Sequence, residues 1–137
     1  MKFPQSITMQ ITSAFGEEKR VLRQIDEMCL SFPHVKTEIN EFKVAVAEAC
    51  INAIEHGNLE NRNGLIFVSI VLTDQSITCT VCDKGKGFYS HNTTSSERGW
   101  GLKILDHFVD HWCFVPSVDK DYTFCIQFEK RLCINKE

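Results

Sequence analysis

Polar and apolar residues alternate from Gln5 to Thr12, with Ser6, Thr8 and Gln10 set against Ile7, Met9 and Ile11. That period of two predicts a half-buried strand. Phe15-Gly16 breaks it, and between Glu17 and Phe32 the apolar residues Val21, Leu22, Ile25, Met28, Cys29 and Phe32 recur at helical spacing. Pro33 is expected to end this helix, because the residue before a proline is pushed out of the α region. Thr37-Glu-Ile-Asn40 reads as the next helix opening, capped by Thr37 or Asn40. The central helix runs from there to about His56, where Gly57-Asn58 provides a left-handed stop. Along it, Val44, Ala47, Ile51 and Ile54 follow the core-facing spacing.

Asn61-Arg-Asn-Gly64 is turn chemistry. Leu65–Leu72 and Ser76–Cys82 read as two strands of a hairpin, joined at Thr73-Asp74-Gln75. Asp83 to Phe88 is a glycine-punctuated loop, and the polar stretch Tyr89 to Arg98 has no apolar periodicity and reads as a mobile flap. A further amphipathic helix is expected over Gly101–Asp110, carrying Leu102, Ile104, Leu105, Phe108 and Val109. His111–Val115 and Tyr122–Phe128 are closing strands joined by a turn over Pro116–Asp121. No repeat or linker interrupts this order. It fits a single α+β domain over residues 1–137, with helices on one face of a mixed, mostly antiparallel sheet.

At 137 residues the chain is long enough for one domain with a real core, and 43% hydrophobic with 24% charged residues is ordinary for a globular protein. A net charge of −3 gives no general attraction to nucleic acid or to an anionic membrane. The first ten residues lack an apolar signal core, and no stretch is long enough to span a bilayer, so a cytoplasmic location is expected. An odd count of seven cysteines without an export signal argues for reduced thiols. Cys79 and Cys82 lie three apart on a predicted strand and therefore face opposite ways, which does not suit zinc. They read as small apolar fillers.

The candidate chemistry begins on the central helix. Glu48, Asn52 and His56 recur every four residues, so they form one polar row beside the buried edge. A carboxylate, an amide and an imidazole in line make a plausible catalytic wall. Asp83-Lys-Gly-Lys-Gly-Phe88 and Glu97-Arg-Gly-Trp-Gly-Leu102 add two glycine loops, the second leading into a helix. A helix opening offers unpaired N–H groups and a positive dipole end, which suits phosphate. Together the three stretches point to a nucleotide site.

These stretches resemble the N, G1 and G2 boxes of GHKL (Bergerat-fold) ATP-binding domains. In order and spacing, essentially the whole chain resembles the small anti-sigma factors that are also serine protein kinases. The resemblance implies a two-layer sandwich of helices on a mixed, mostly antiparallel sheet, with ATP and Mg²⁺ held between helices and flap. It implies Glu48 as the base that orients or deprotonates an acceptor serine, and Asn52 as the magnesium ligand. Asp83 resembles the aspartate that accepts a hydrogen bond from the adenine amine, with Gly85 and Gly87 letting the backbone pass close to the base and sugar. Gly99, Gly101 and Leu102 would open the phosphate-binding helix, and Arg98 resembles the flap arginine that touches the γ-phosphate. Thr123 resembles the hydroxyl that shares a water with that aspartate, or is an ordinary strand threonine. His56 reaches a phosphate or sits at the helix C-terminus for its dipole.

The function implied is an anti-sigma factor and kinase that phosphorylates a serine of a STAS-type anti-anti-sigma antagonist, regulating transcription by partner switching. A homodimer is implied by the family alone, and neither direct nucleic-acid binding nor membrane association is expected. A brief flap between the glycine boxes leaves room for another reading, a nucleotide-gated binding module without efficient turnover. The catalytic domain of a histidine kinase is a third, weakened because His34 follows a proline between helices instead of sitting mid-helix.

Overall fold

Residues 2–57, 64–84, 103–117, 122 and 124–135 are described in the structure, a computed structural model, with the backbone alone for His56 and Gly57. Strand β1 is Gln5–Thr12, helix α1 Glu18–Met28 and helix α2 Lys36–Asn52, the last two separated by a 3-10 turn at Pro33–Val35. A single π turn, Ala53–Gly57, continues α2. Strands β2 (Leu65–Leu72) and β3 (Ser76–Asp83) follow, then helix α3 over 103–108, β4 (His111–Val115) and β5 (Phe124–Arg131). The sheet order is β1-β2-β3-β5-β4. Every pairing among the described residues is antiparallel, in keeping with the mixed, mostly antiparallel sheet expected.

The period of two decides which side of the sheet is covered. Ile66, Val68, Ile70 and Leu72 of β2 and Ile77, Cys79 and Val81 of β3 are buried in one core with residues of all three helices. Phe67, Ser69, Val71, Thr78 and Thr80 alternate with them and are only half-buried. Antiparallel sheets commonly carry this one-sided cover. The β2–β3 turn falls on Thr73-Asp74-Gln75 as expected. The Thr73 hydroxyl oxygen accepts from the backbone N–H groups of Gln75 and Ser76 at 3.1 and 3.0 Å, which closes the turn locally.

The first helix is entered through Gly16, whose φ of +97° favours glycine while the space beside its Cα is open. Glu17 then clasps the end of β1, accepting from the Thr12 N–H at 3.0 Å, the Thr12 hydroxyl at 3.1 Å and Arg20 at 3.0 Å. The Thr12 N–H, above all, holds the Glu17 carboxyl below its usual value, against the opposing effect of burial. The helix stops at Met28, four residues before the expected Phe32. Phe32 has φ −126° and ψ 59°, the non-helical geometry that a following proline imposes, and Pro33 then opens the 3-10 turn.

That turn runs directly into α2, which has no side-chain cap, so Thr37 and Asn40 lie inside the helix instead of capping it. The buried stripe of α2 also differs from the expected one. It is Ile39, Phe42, Ala45, Val46, Ala49, Cys50 and Ala53; of the expected residues Ile54 is buried, while Val44 is 43% exposed and Ala47 and Ile51 are half-buried. The alanines give little rotational preference; the Phe42 ring, fully buried 5.6 Å from Phe128, sets which side faces the sheet. Strand β5 begins two residues later than expected and runs on to Arg131. Its charged end is accommodated because Lys130 reaches Glu41 of α2 at 3.6 Å, while Glu129 and Arg131 alternate to the uncovered face.

The contrast along α2 is measurable by urea denaturation. Phe42→Ala is expected to lower the unfolding free energy by about 3–5 kcal/mol through lost burial and a cavity. Val44→Ala, on the half-exposed side, is expected to cost under about 1 kcal/mol. Equal losses for the two variants would show that Phe42 does not set the helix face.

Candidate functional site

Glu48 and Asn52 stand one turn apart near the end of α2, and the Asn52 amide Nδ2 donates to Glu48 Oε1 at 3.0 Å. Asn52 is only 5% exposed, so the bond satisfies a polar group that would otherwise cost about 1–3 kcal/mol to bury. It also fixes the amide's orientation, with its nitrogen toward Glu48. The row continues toward His56, whose side chain lies outside the described residues.

Asn52 is the last residue of α2 proper. The Ala53 N–H is shared between the carbonyls of Ala49 and Cys50, and the chain widens into the π turn Ala53–Gly57. Such turns are rare in helices and frequent at functional sites. This one packs against β3, which brings the polar end of α2 over the strand that ends in Asp83. By the alternation of β3, Asp83 points to the helix side with Val81 and Cys79, and it is 4% exposed. Its register partner is Phe124, the first residue of β5.

Glu48, Asn52 and Asp83 thus lie on the helix side of the sheet, with Glu48 and Asn52 in direct contact. Gly85, Gly87, Arg98, Gly99, Gly101, Leu102 and Thr123 fall outside the described residues, as do the stretch read as a flap and the Asn58 stop. What the structure describes beyond that stretch is α3, pinned by the fully buried Leu105 and by the Trp112 indole N–H donating to Asp106 Oδ1 at 2.6 Å. Among the described residues no group of three His, Cys, Asp or Glu is placed to hold a metal. A cation here would take its protein oxygen from a residue such as Asn52 and the rest from water and phosphate, a donor set that suits magnesium.

The cysteines overturn one expectation. Cys82 and Cys125, register partners across β3 and β5, are joined by a disulfide of 2.10 Å, so not all seven thiols are reduced. Cys79 does face away from Cys82: it is a free thiol in the main core, whereas Cys82 and Cys125 cluster with Tyr122 beside Phe67 and Val115. The signal missed was cross-strand. Face parity was legible for each cysteine, but the pairing needs β3 and β5 to be neighbours, which the order of elements along the chain does not state.

Residues 14–122 match the model of the histidine kinase-like ATPase domain. The chain is 34% identical over 96 residues to an anti-sigma F factor of Geobacillus thermodenitrificans, covering 63% of this chain and 66% of the relative. It is 32% identical over 83 residues to an anti-sigma F factor of Bacillus cereus, covering 53% and 57%. The chain therefore spans about two thirds or less of these relatives' lengths. In fold it is similar to a crystal structure of the RsbU and RsbW domains of a Mycobacterium tuberculosis protein, with a TM-score of 0.68 at 19% identity over 93% of this chain and 32% of that one. No helix among the described residues is long and apolar enough to cross a membrane. On the strength of the match across residues 14–122, the chain belongs to the histidine kinase-like ATPase domain family.

Proposed function

We propose that this protein is a cytoplasmic anti-sigma factor and ATP-dependent serine protein kinase, which binds a sigma factor and phosphorylates a serine of a STAS-type anti-anti-sigma antagonist. The observation that carries the reading is the Asn52–Glu48 hydrogen bond on a helix end packed against the strand of Asp83. The names of the similar anti-sigma F factors support the regulatory half.

When bound, ATP with Mg²⁺ supplies the transferable phosphoryl group and the charge neutralisation that its transfer needs. The chain's own residues do the rest. Asp83 accepts a hydrogen bond from the exocyclic amine of adenine, which a guanine carbonyl cannot donate. Asn52 would hold the metal through its amide oxygen, with its nitrogen on Glu48. Glu48 takes the proton of the acceptor serine hydroxyl, helped by being fixed against Asn52 instead of sampling free rotamers. His56, Gly85, Gly87, Arg98, Gly99, Gly101, Leu102 and Thr123 complete the nucleotide site, with Arg98 at the γ-phosphate. Phosphorylation adds about −2 charge to the antagonist and weakens its hold on the kinase, leaving the regulator, as a homodimer, free to keep its sigma factor.

Two measurements test this. In calorimetric titrations, Asp83→Asn is expected to weaken ADP binding about 10- to 100-fold, the loss of one charge-assisted hydrogen bond. Asn52→Ala is expected to remove the gain in affinity that Mg²⁺ gives the wild type. Unchanged affinities in both variants would place the nucleotide elsewhere.

For catalysis, γ-labelled ATP is incubated with a panel of purified STAS domains. Glu48→Gln retains an oxygen that can accept the Asn52 N–H but no base, so ADP affinity should hold while serine labelling falls about 10²- to 10⁴-fold. Binding of ATP without any phosphoserine in the wild type would leave a nucleotide-gated module in place of a kinase.

A further inference from the structure

We propose that Cys82 and Cys125 are a reversible redox pair whose disulfide state sets how tightly the neighbouring site holds nucleotide; the coupling rests on the nucleotide reading above. The two residues face each other one rung before the end of the β3–β5 ladder, and the final rung is Asp83 with Phe124. The sulfurs lie on the uncovered side of the sheet and Asp83 on the helix side, so one strand end carries both groups, back to back.

The bond joins residues 43 apart in sequence. The covalent loop it closes contains Asp83, both glycine stretches, α3, β4 and Phe124. Oxidised, the two ends of that loop are tied together beside Asp83. Reduced, they are held at this rung only by the backbone ladder and side-chain packing. A ligand that needs Asp83 fixed relative to β5 therefore favours the oxidised form, and by linkage the bond becomes harder to reduce when nucleotide is bound.

Access is available from the uncovered side. A cavity of about 310 Å³ is lined by both cysteines together with Phe67, Thr80, Val115 and Tyr122, large enough for a small thiol reagent. A dithiol reductant attacks one sulfur as a thiolate, forming a mixed disulfide and expelling the other cysteine as a thiolate that takes up a proton. The reductant's second thiol then displaces the attached cysteine and leaves as a cyclic disulfide, so two electrons and two protons pass to the pair. The return step requires a disulfide oxidant of small-molecule or protein origin.

The remaining cysteines do not offer an equivalent response. Burial pushes the Cys29 thiol up to about 11 and the Cys50 thiol to about 12, and it raises Cys79 as well, so all three stay protonated at neutral pH. Cys113 and Cys133 are exposed single thiols.

The test uses the full chain purified without reductant. Titration with 5,5′-dithiobis(2-nitrobenzoate) in denaturant should find five thiols, seven cysteines less the bonded two, and seven after dithiothreitol. The native oxidised protein should bind ADP about tenfold more tightly than the reduced protein and melt roughly 10 °C higher. The Cys82→Ala/Cys125→Ala variant should bind like the reduced wild type whatever the treatment. Seven thiols before reduction, or ADP affinities equal within about twofold in the two wild-type states, overturn the proposal. Five thiols with ADP bound by neither state overturn the coupling and the nucleotide reading together.

Discussion

The register of β3 between β2 and β5 is the constraint on which the site depends. Ile77, Cys79 and Val81 are almost wholly withdrawn from solvent on the helix side, and the same parity carries Asp83 to that side. A slip of one residue would drive Thr78, Thr80 and Cys82 into the core and turn Asp83 out. Burying an Ile or Val side chain contributes about 1.5–3 kcal/mol, so the apolar residues alone make the slipped register much poorer. The aspartate is thus aimed by the hydrophobic residues before it. Its own contacts need not specify its direction.

A similar dependence governs α2. Phe42 against Phe128 sets the helix's rotation, and that rotation puts Glu48 on the half-buried flank and Asn52 at the sheet end of it. A buried amide at that place needs a partner, and Glu48 supplies one. The carboxylate consequently has a structural task besides any chemical one, which is why a glutamine there is more informative than an alanine. An alanine would remove both the base and the support of Asn52, and loss of activity could not be assigned to either.

How much of this was legible in the sequence follows the kind of signal each element carries. Strict alternation marked β1 at its observed bounds, because one covered face writes itself into every second residue; the turn at Thr73-Asp74-Gln75 marked the β2–β3 hairpin, with β3 running one residue further than expected, to Asp83. The α2 stripe was misread at Val44, since alanines fit either side of a helix and only the tertiary contact of Phe42 chooses. The C-terminal end of β5 was missed because Glu129, Lys130 and Arg131 look like loop composition; the Lys130–Glu41 pair and the uncovered face make them tolerable in a strand. Spacing put Glu48 and Asn52 in one row and the resemblance singled out Asp83, but neither the Glu48–Asn52 hydrogen bond nor the burial of Asn52 and Asp83 was legible. The disulfide was illegible for a stricter reason. Pairing across a sheet is a property of strand order, and β4 comes between β3 and β5 in the chain while β5 comes between β3 and β4 in space.

That strand order also explains why the candidate site residues gather where they do. Thr12 pairs with Leu65, Phe67 with Cys82, Asp83 with Phe124 and Cys125 with Val115, so β1, β3 and β4 end, and β2 and β5 begin, along one edge of the molecule. The connection from β3 to α3 leaves from that edge, and the connection from β4 to β5 both leaves from it and returns to it. The π turn at the end of α2 packs against β3, so the helix delivers Asn52 to the strand whose last residue is Asp83. Side chains distant in sequence are therefore collected by topology, and what each strand must supply is only a residue of the right kind at its last covered position. A TM-score of 0.68 at 19% identity shows the fold kept with few identical residues, because an apolar alternation can be kept by many residues. The roles proposed for the polar residues at the strand and helix ends are stricter, since a carboxylate acceptor or an amide oxygen is defined by its chemistry instead of its volume.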